Sequence, residues 1–280
     1  MLNIIKSDLY RIFKGKSIYI SILFILFLAS ISCFSMSPGH IGIATSSSEE
    51  QPFIKDEEIL NQVYETNSIL ETRKLMKEYG AYPLDKAQLG ANANLYYFFI
   101  IIVVIVLVTD LSNATAKNTL SSAISRKKYY FSKLFTCIAL GTFLVFINNY
   151  GSYFINLLMN GKEFSAGLLE ITKLTILQLP ILYGIMSMLV CIGFCFRKTG
   201  TFNSITIPFI IGIQLIVMGI STLFHFDSTK LLNYEFQYIL SNLISNPSTT
   251  YILKTLALSI FYIILFNVIG YRIFKKTEIK

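Results

Sequence analysis

Six blocks of apolar residues recur along the chain, at 17–36, 93–110, 134–157, 174–196, 203–224 and 252–274. Each is bounded by basic or polar clusters. Inside the blocks no helical or two-residue alternation separates a wet face from a dry one. A helix on a soluble core would show such a stripe, whereas a helix in lipid is apolar all round. About 20 apolar residues cross the hydrocarbon as a helix. The second block centres on LYYFFIIIVVIVLV and must borrow ANAN or TDLS at its ends, and the third turns polar after Ile147, at Asn148, Asn149 and Tyr150. The pattern predicts an all-α polytopic membrane protein, a single transmembrane domain over residues 1–280 with six transmembrane helices.

The segments between the blocks have patterns of their own. Residues 1–16 place Leu2, Ile5, Leu9, Ile12 and Phe13 on one helical face and Lys6, Asp8, Arg11 and Lys14 on the other. That predicts an interfacial elbow helix with its basic face toward anionic headgroups; the simpler alternative is a positively charged flank that only sets topology. Residues 37–92 open with loop-forming residues. They continue with Ile59, Leu60, Val63, Tyr64, Ile69, Leu70, Leu75, Met76 and Tyr79 at helical spacing, ended by Gly80 and Pro83. This predicts a mostly helical extracellular insertion, packed on the span ends or on a partner copy, or serving as a substrate-receiving lid. Residues 225–251 are amphipathic and too polar to cross, and read as a re-entrant segment.

Composition agrees with the pattern: 54% of residues are hydrophobic and 14% charged, where a soluble domain has about 25% charged. The net charge of +8 would suggest nucleic acid in a soluble protein. Here the cations cluster at the ends of the blocks, so topology explains them and no nucleic-acid partner is expected. With the N-terminus in the cytoplasm, the inside segments gather most of the 24 basic residues and only Asp8, Asp110 and Glu278 of the 16 acidic ones. Lys and Arg near span ends favour the cytoplasmic side, so both termini are expected there.

Chemistry-bearing residues are sparse. Cys33, Cys137, Cys191 and Cys195 lie in apolar blocks and read as small hydrophobes; no metal site is expected. His40 and His225 are far apart. GKS at 15–17 lacks the Gly five residues upstream that a phosphate loop needs. The chain is therefore expected to bind no nucleotide or other cofactor itself and to carry no catalytic set. Polar residues inside the blocks are Asn148, Asn149 and Asn156, then Gln178, then Asn203, Thr206 and Gln214. Of these, Asn148, Asn149, Asn203, Thr206 and Gln214 are candidates for a translocation path, with helix-to-helix hydrogen bonding the equal alternative.

The most informative stretch is TDLSNATAKNTLSSAISRKKYYFSKL, residues 109–134. It is basic, rich in Ser and Thr, and longer than a plain connection. It resembles the cytoplasmic signature of ABC transporter permeases of the type-2 exporter family. There an acidic residue closes span two, and a Gly-Thr pair, a Leu, small residues, a Ser-Arg pair and a Lys follow. Asp110, Thr115, Leu120, Ser121, Ser122, Ser125, Arg126 and Lys133 stand at the matching positions. Ala114 replaces the Gly, and Ala123 and Ile124 stand where a Pro often precedes Ser-Arg. The resemblance implies a cytoplasmic coupling-helix loop over 111–133. Its contacts would come from Thr115, Lys117, Leu120, Ser121, Ser122, Ser125, Arg126 and Lys127. It implies two separate ABC ATPase subunits that bind ATP and Mg, a second permease copy or paralogue, and a place in a bacterial cytoplasmic membrane with lipid around it. A path lined by Ile, Leu, Phe and Met without fixed charge suits a hydrophobic or amphipathic substrate such as a membrane-active peptide. The alternative is a non-transporting immunity or regulatory protein that binds a peptide at the outer face.

Overall fold

The computed structural model describes residues 2–35, 84–91, 99–113, 115–121, 124–224, 231–244 and 248–277. Among them every regular element is helical. In chain order these are α1 (Leu2–Lys14), α2 (Ser17–Ser35), α3 (Leu84–Ala91) and α4 (residues 100–112). Then follow α5 (Thr115–Ser121), α6 (Arg126–Asn160), α7 (Leu168–Cys195), α8 (Thr199–Leu223), α9 (Phe236–Asn242) and α10 (Thr249–Lys276). Helices α2, α6, α7 and α10 are long and apolar enough to cross a membrane. A fifth candidate is α8, if its two arms, bent by 56° between Ile213 and Leu215, count as one span. Apolar α4 is shorter than a crossing. The helix expected between 59 and 79 lies outside the described residues, as do His40 and His225.

The chain forms two compact units. The first comprises Met1–Ile22, Ala93–Val145 and Leu177–Lys280. Its core is aromatic: Tyr130 stacks on Phe194 with centroids 4.7 Å apart, and Phe194 meets Phe274 at 4.6 Å. The Tyr130 hydroxyl donates to Asn267 Oδ1 at 3.1 Å, and Asn267 Nδ2 donates to Ser187 Oγ at 3.0 Å. These bonds satisfy polar groups that would otherwise be costly in an apolar core. Gly270 permits the close crossing of α10 on α7, since a Cβ there would lie 2.7 Å from the Tyr130 hydroxyl and 3.1 Å from Cys191 Cα.

The expected amphipathic segment at 225–251 contains α9. Glu235 caps it by accepting from the Gln237 and Tyr238 amides at 2.9 and 2.8 Å. Its apolar side, Phe236, Ile239 and Leu240, is buried, and the Tyr262 hydroxyl fastens the approach by donating to Tyr234 O at 2.7 Å. Along α8 and α10 large apolar side chains such as Ile211, Leu215, Phe261 and Ile264 point outward, as lipid-facing positions do.

The second unit comprises Leu23–Asn92 and Phe146–Ile176. Hydrogen bonds of buried polar side chains tie it together, beside the stacked pair Phe146–Tyr150 with centroids 5.6 Å apart. Gln88 of α3 donates to Ala29 O at 2.9 Å and accepts from the Cys33 thiol at 2.8 Å. Buried Asp85 accepts from the Ser165 hydroxyl at 2.6 Å and the Ala166 amide at 2.9 Å. That fixes the turn between α6 and α7, where Gly161 and Gly167 take positive φ of 91° and 89°, a conformation open to glycine. Helix α3 falls within the insertion read as mostly helical over 37–92, beyond the helix end expected at Gly80 and Pro83. Its sequence LDKAQLGA is short and polar, and its burial depends on these distant partners.

Candidate functional site

Helix α4 is not uniform. Ile100–Val103 and Thr109–Ser112 are α-helical, but Val104–Val108 is a π turn. Val104 O accepts both the Thr109 amide and, at 2.8 Å, the Thr109 hydroxyl. One residue later comes Asp110, whose side chain is 6% exposed.

Asp110 enters an ion cluster of four groups. Lys133, 2% exposed at the start of α6, donates through Nζ to Asp8 Oδ1 at 2.8 Å, to Asp8 Oδ2 at 2.7 Å and to Asp110 Oδ2. Its three N–H groups thus meet three carboxylate oxygens. Arg11 Nη1 donates to the remaining oxygen, Asp110 Oδ1, and Arg11 Nη2 lies 3.6 Å from Asp8 Oδ1. Two carboxylates and two cations sum to zero charge, the condition for burying ions without a prohibitive desolvation cost. Burial still pushes the Asp8 carboxyl above its ordinary value, opposed by the Lys133 charge and hydrogen bonds. Arg11 is held above its ordinary value because hydrogen bonding and charge from Asp110 outweigh its own desolvation. The Tyr129 ring covers Lys133 Nζ at 5.4 Å and stacks on Phe274 with centroids 5.8 Å apart. Among the described residues the buried Tyr129 hydroxyl has no hydrogen-bond partner.

The cluster corrects the reading of residues 1–16. Asp8 belongs to the buried side of α1 with Ile12, not to the polar face with Lys6 and Lys14. A carboxylate flanked by basic residues looks like surface in sequence; its partners at 110 and 133 make burial affordable. Leu2 and Phe13, on the expected apolar face, are exposed, which an interfacial helix allows.

The loop carrying the family-like signature hangs from this cluster. Beyond Asp110 runs α5, with Thr115 and Lys117 exposed, Ala116 buried and Leu120 half-buried. Ser121 ends α5, and Ser122 lies outside the described residues. Ser125 is the N-cap of α6, its hydroxyl accepting from the Lys128 amide at 3.3 Å. Arg126 turns to the end of α10, where Nη1 donates to Phe274 O, Lys275 O and Thr277 O at 3.2, 2.7 and 2.8 Å. A cation suits a helix C-terminus, whose carbonyls are unpaired and partly negative. Lys127 is exposed. Of the residues the signature singles out, Ser125 and Arg126 therefore hold the loop in place, while Thr115, Lys117 and Lys127 face outward from it.

The candidate path residues divide between the units. In the second, buried Asn148 donates to Asn149 Oδ1 at 3.0 Å, and Asn149 donates to Thr175 Oγ1 at 3.1 Å. Asn156 donates to Phe164 O at 3.2 Å. In the first, Asn203 Oδ1 and Thr206 Oγ1 on α8 are buried with no hydrogen-bond partner among the described residues, and Gln214 falls at the bend of α8. The ion cluster itself was only half-visible in sequence. Asp110 and Lys133 are signature positions; Asp8 and Arg11 carry no signal that would pair them with residues about a hundred positions away.

No protein-family model matches the chain, and no curated protein matches it in sequence.

Proposed function

We propose that this chain is the membrane-spanning permease subunit of an ATP-driven ABC exporter of the type-2 kind. In this reading the chain crosses six times with both termini in the cytoplasm, residues 93–110 forming the second span and α1 an interfacial elbow. Two separate ATPase subunits bind ATP and Mg and dock beneath a pair of permease chains. The substrate is hydrophobic or amphipathic, with a membrane-active peptide the favoured class.

The observation that carries the reading is the suspension of α5. One end of its loop is fixed at Asp110 by Lys133 and Arg11, and the other by Ser125 and Arg126 at two helix termini. A short helix held at both ends, with Thr115 and Lys117 outward, transmits a push from a docked protein into α4 and α6. Such drive requires that the ATPase contact this helix differently in its two states.

The test is affinity purification of the tagged full chain from its native membrane. A P-loop ATPase should co-purify, and Lys117→Glu with Lys127→Glu should weaken its retention at least tenfold, as loss of paired charge at an interface does. These two exposed positions spare the capping role of Arg126. Retention unchanged by the charge reversals would remove α5 as the docking element. Substrate movement by the purified chain with no ATPase present would remove the exporter reading itself.

A further inference from the structure

The π turn and the ion cluster lie one residue apart in α4, and together they imply two states of this helix. A π turn holds one residue more than an α turn and is frequently found at functional sites. If Val104–Val108 closes to α geometry, every residue from Thr109 onward rotates by about 100° and advances about 1.5 Å relative to Ile100–Val103. Thr109 then occupies the place of Asp110, and Asp110 leaves Lys133 and Arg11. The segment below it, which leads to α5, turns with it.

Three features suit the turn to such a change. First, its sequence is VIVLV, flanked by Val103, so a one-residue shift replaces an aliphatic side chain by an aliphatic side chain. Packing chemistry survives a volume-conserving exchange. Thr109 and Asp110 are the polar side chains of this stretch whose partners the shift changes. Second, the turn packs where the neighbouring helix presents no side chain. A Cβ on Gly193 of α7 would lie 3.0 Å from Leu107, 3.3 Å from Val103 and 3.4 Å from Val108. Third, the π register is held by a side chain. The Thr109 hydroxyl donates to Val104 O at 2.8 Å, a bond available only while these residues stand five apart across the turn.

We infer that α4 is a register switch: its π state docks Asp110 in the Asp8–Arg11–Lys133 cluster, and its α state withdraws it and swings the 113–127 loop. The switch is a property of this chain alone and does not depend on the exporter reading. Its experiment therefore fails or succeeds separately from the co-purification.

The test uses the full chain in lipid nanodiscs, with the four native cysteines replaced and spin labels at Lys6→Cys on α1 and Ser112→Cys on α4. Both native positions are exposed. Pulsed electron-electron distances should show a dominant separation with a minor second one. Thr109→Val should raise the minor population several-fold, and Asp110→Asn should raise it too. Deletion of Ile105 removes the extra residue, so the flanks keep their places in continuous α geometry; it should show the dominant separation alone, even when combined with Thr109→Val. One separation, unchanged by Thr109→Val and by Asp110→Asn, would overturn the switch. Should the deletion fail to fold, the two substitutions decide the question without it.

Discussion

The two units bury their polar groups with a different emphasis. The first closes four ionised side chains, Asp8, Arg11, Asp110 and Lys133, into one neutral set. The second relies mainly on amides, hydroxyls and a thiol, as in Asn148–Asn149–Thr175 and Cys33–Gln88, with Asp85 and Lys86 as its buried ionisable groups. Ionic sets fail abruptly, because loss of one partner leaves a buried charge uncompensated. Neutral pairs in a membrane protein fail gently, since each bond is worth about 0.6 kcal/mol on average. The first unit is therefore the more sensitive to single substitutions, and it is also where the 113–127 loop is attached.

Lys133→Met should break this contrast most severely. It strands Asp8 and Asp110 together, with an expected loss of about 3–5 kcal/mol, read as a fall in thermal unfolding temperature in detergent. Adding Asp8→Asn and Asp110→Asn to Lys133→Met should recover much of that loss, because no carboxylate is then left ionised. A triple variant no more stable than Lys133→Met would mean that packing, not charge, sets the sensitivity. Gly270→Ala probes that packing directly. The added Cβ meets the Tyr130 hydroxyl and the Cys191 backbone, and overpacking of this kind costs about 1–3 kcal/mol. Gly141→Ala should cost less, because the atom in its way is the terminal methyl of Met186, which can swing aside.

In the second unit Asn149→Val should cost only about 1.2 kcal/mol by the same thermal measurement, about 0.6 for each of its bonds to Asn148 and Thr175. A loss as large as that of Lys133→Met would erase the distinction between the units. The smallest effect is one of pH. Asp8 is raised above its ordinary 3.8 by burial, so the fold holds its proton more tightly than the unfolded chain does. That contribution is fully present below pH 3.8 and is lost as pH rises through the raised value. Relative to Asp8→Asn, the native chain should gain thermal stability as pH falls from neutral toward about 4. Lys133, Asp110 and Arg11 face Asp8, so the variant is the control that isolates its titration.

Much of this architecture is legible in the sequence, and particular residues show where legibility ends. The apolar blocks locate α2, α6, α7, α8 and α10 because a lipid-facing helix needs no partner to declare itself. Their ends are less visible: α6 starts at Arg126 and α7 at Leu168, each well ahead of its apolar block, since an N-cap or a glycine turn sets the start and hydrophobicity does not. The π turn leaves no mark, because a run of Val and Ile reads the same in either register. The bounds of helix α3 are not legible because Asp85 and Gln88 look like loop residues until Ser165, Ala166 and Ala29 receive them. The ion cluster is legible only at Asp110 and Lys133, since pairing across 125 residues, as between Asp8 and Lys133, has no local signature.

Drive through α5 requires the 113–127 loop to lie on the cytoplasmic side, where an ATPase can reach it. A membrane-impermeant maleimide, applied to Lys117→Cys in a background lacking the native cysteines, tests this most directly. Labelling in inverted membrane vesicles and none in intact cells is the expected result. Ready labelling from the outside of intact cells would contradict the topology, and with it the drive through α5.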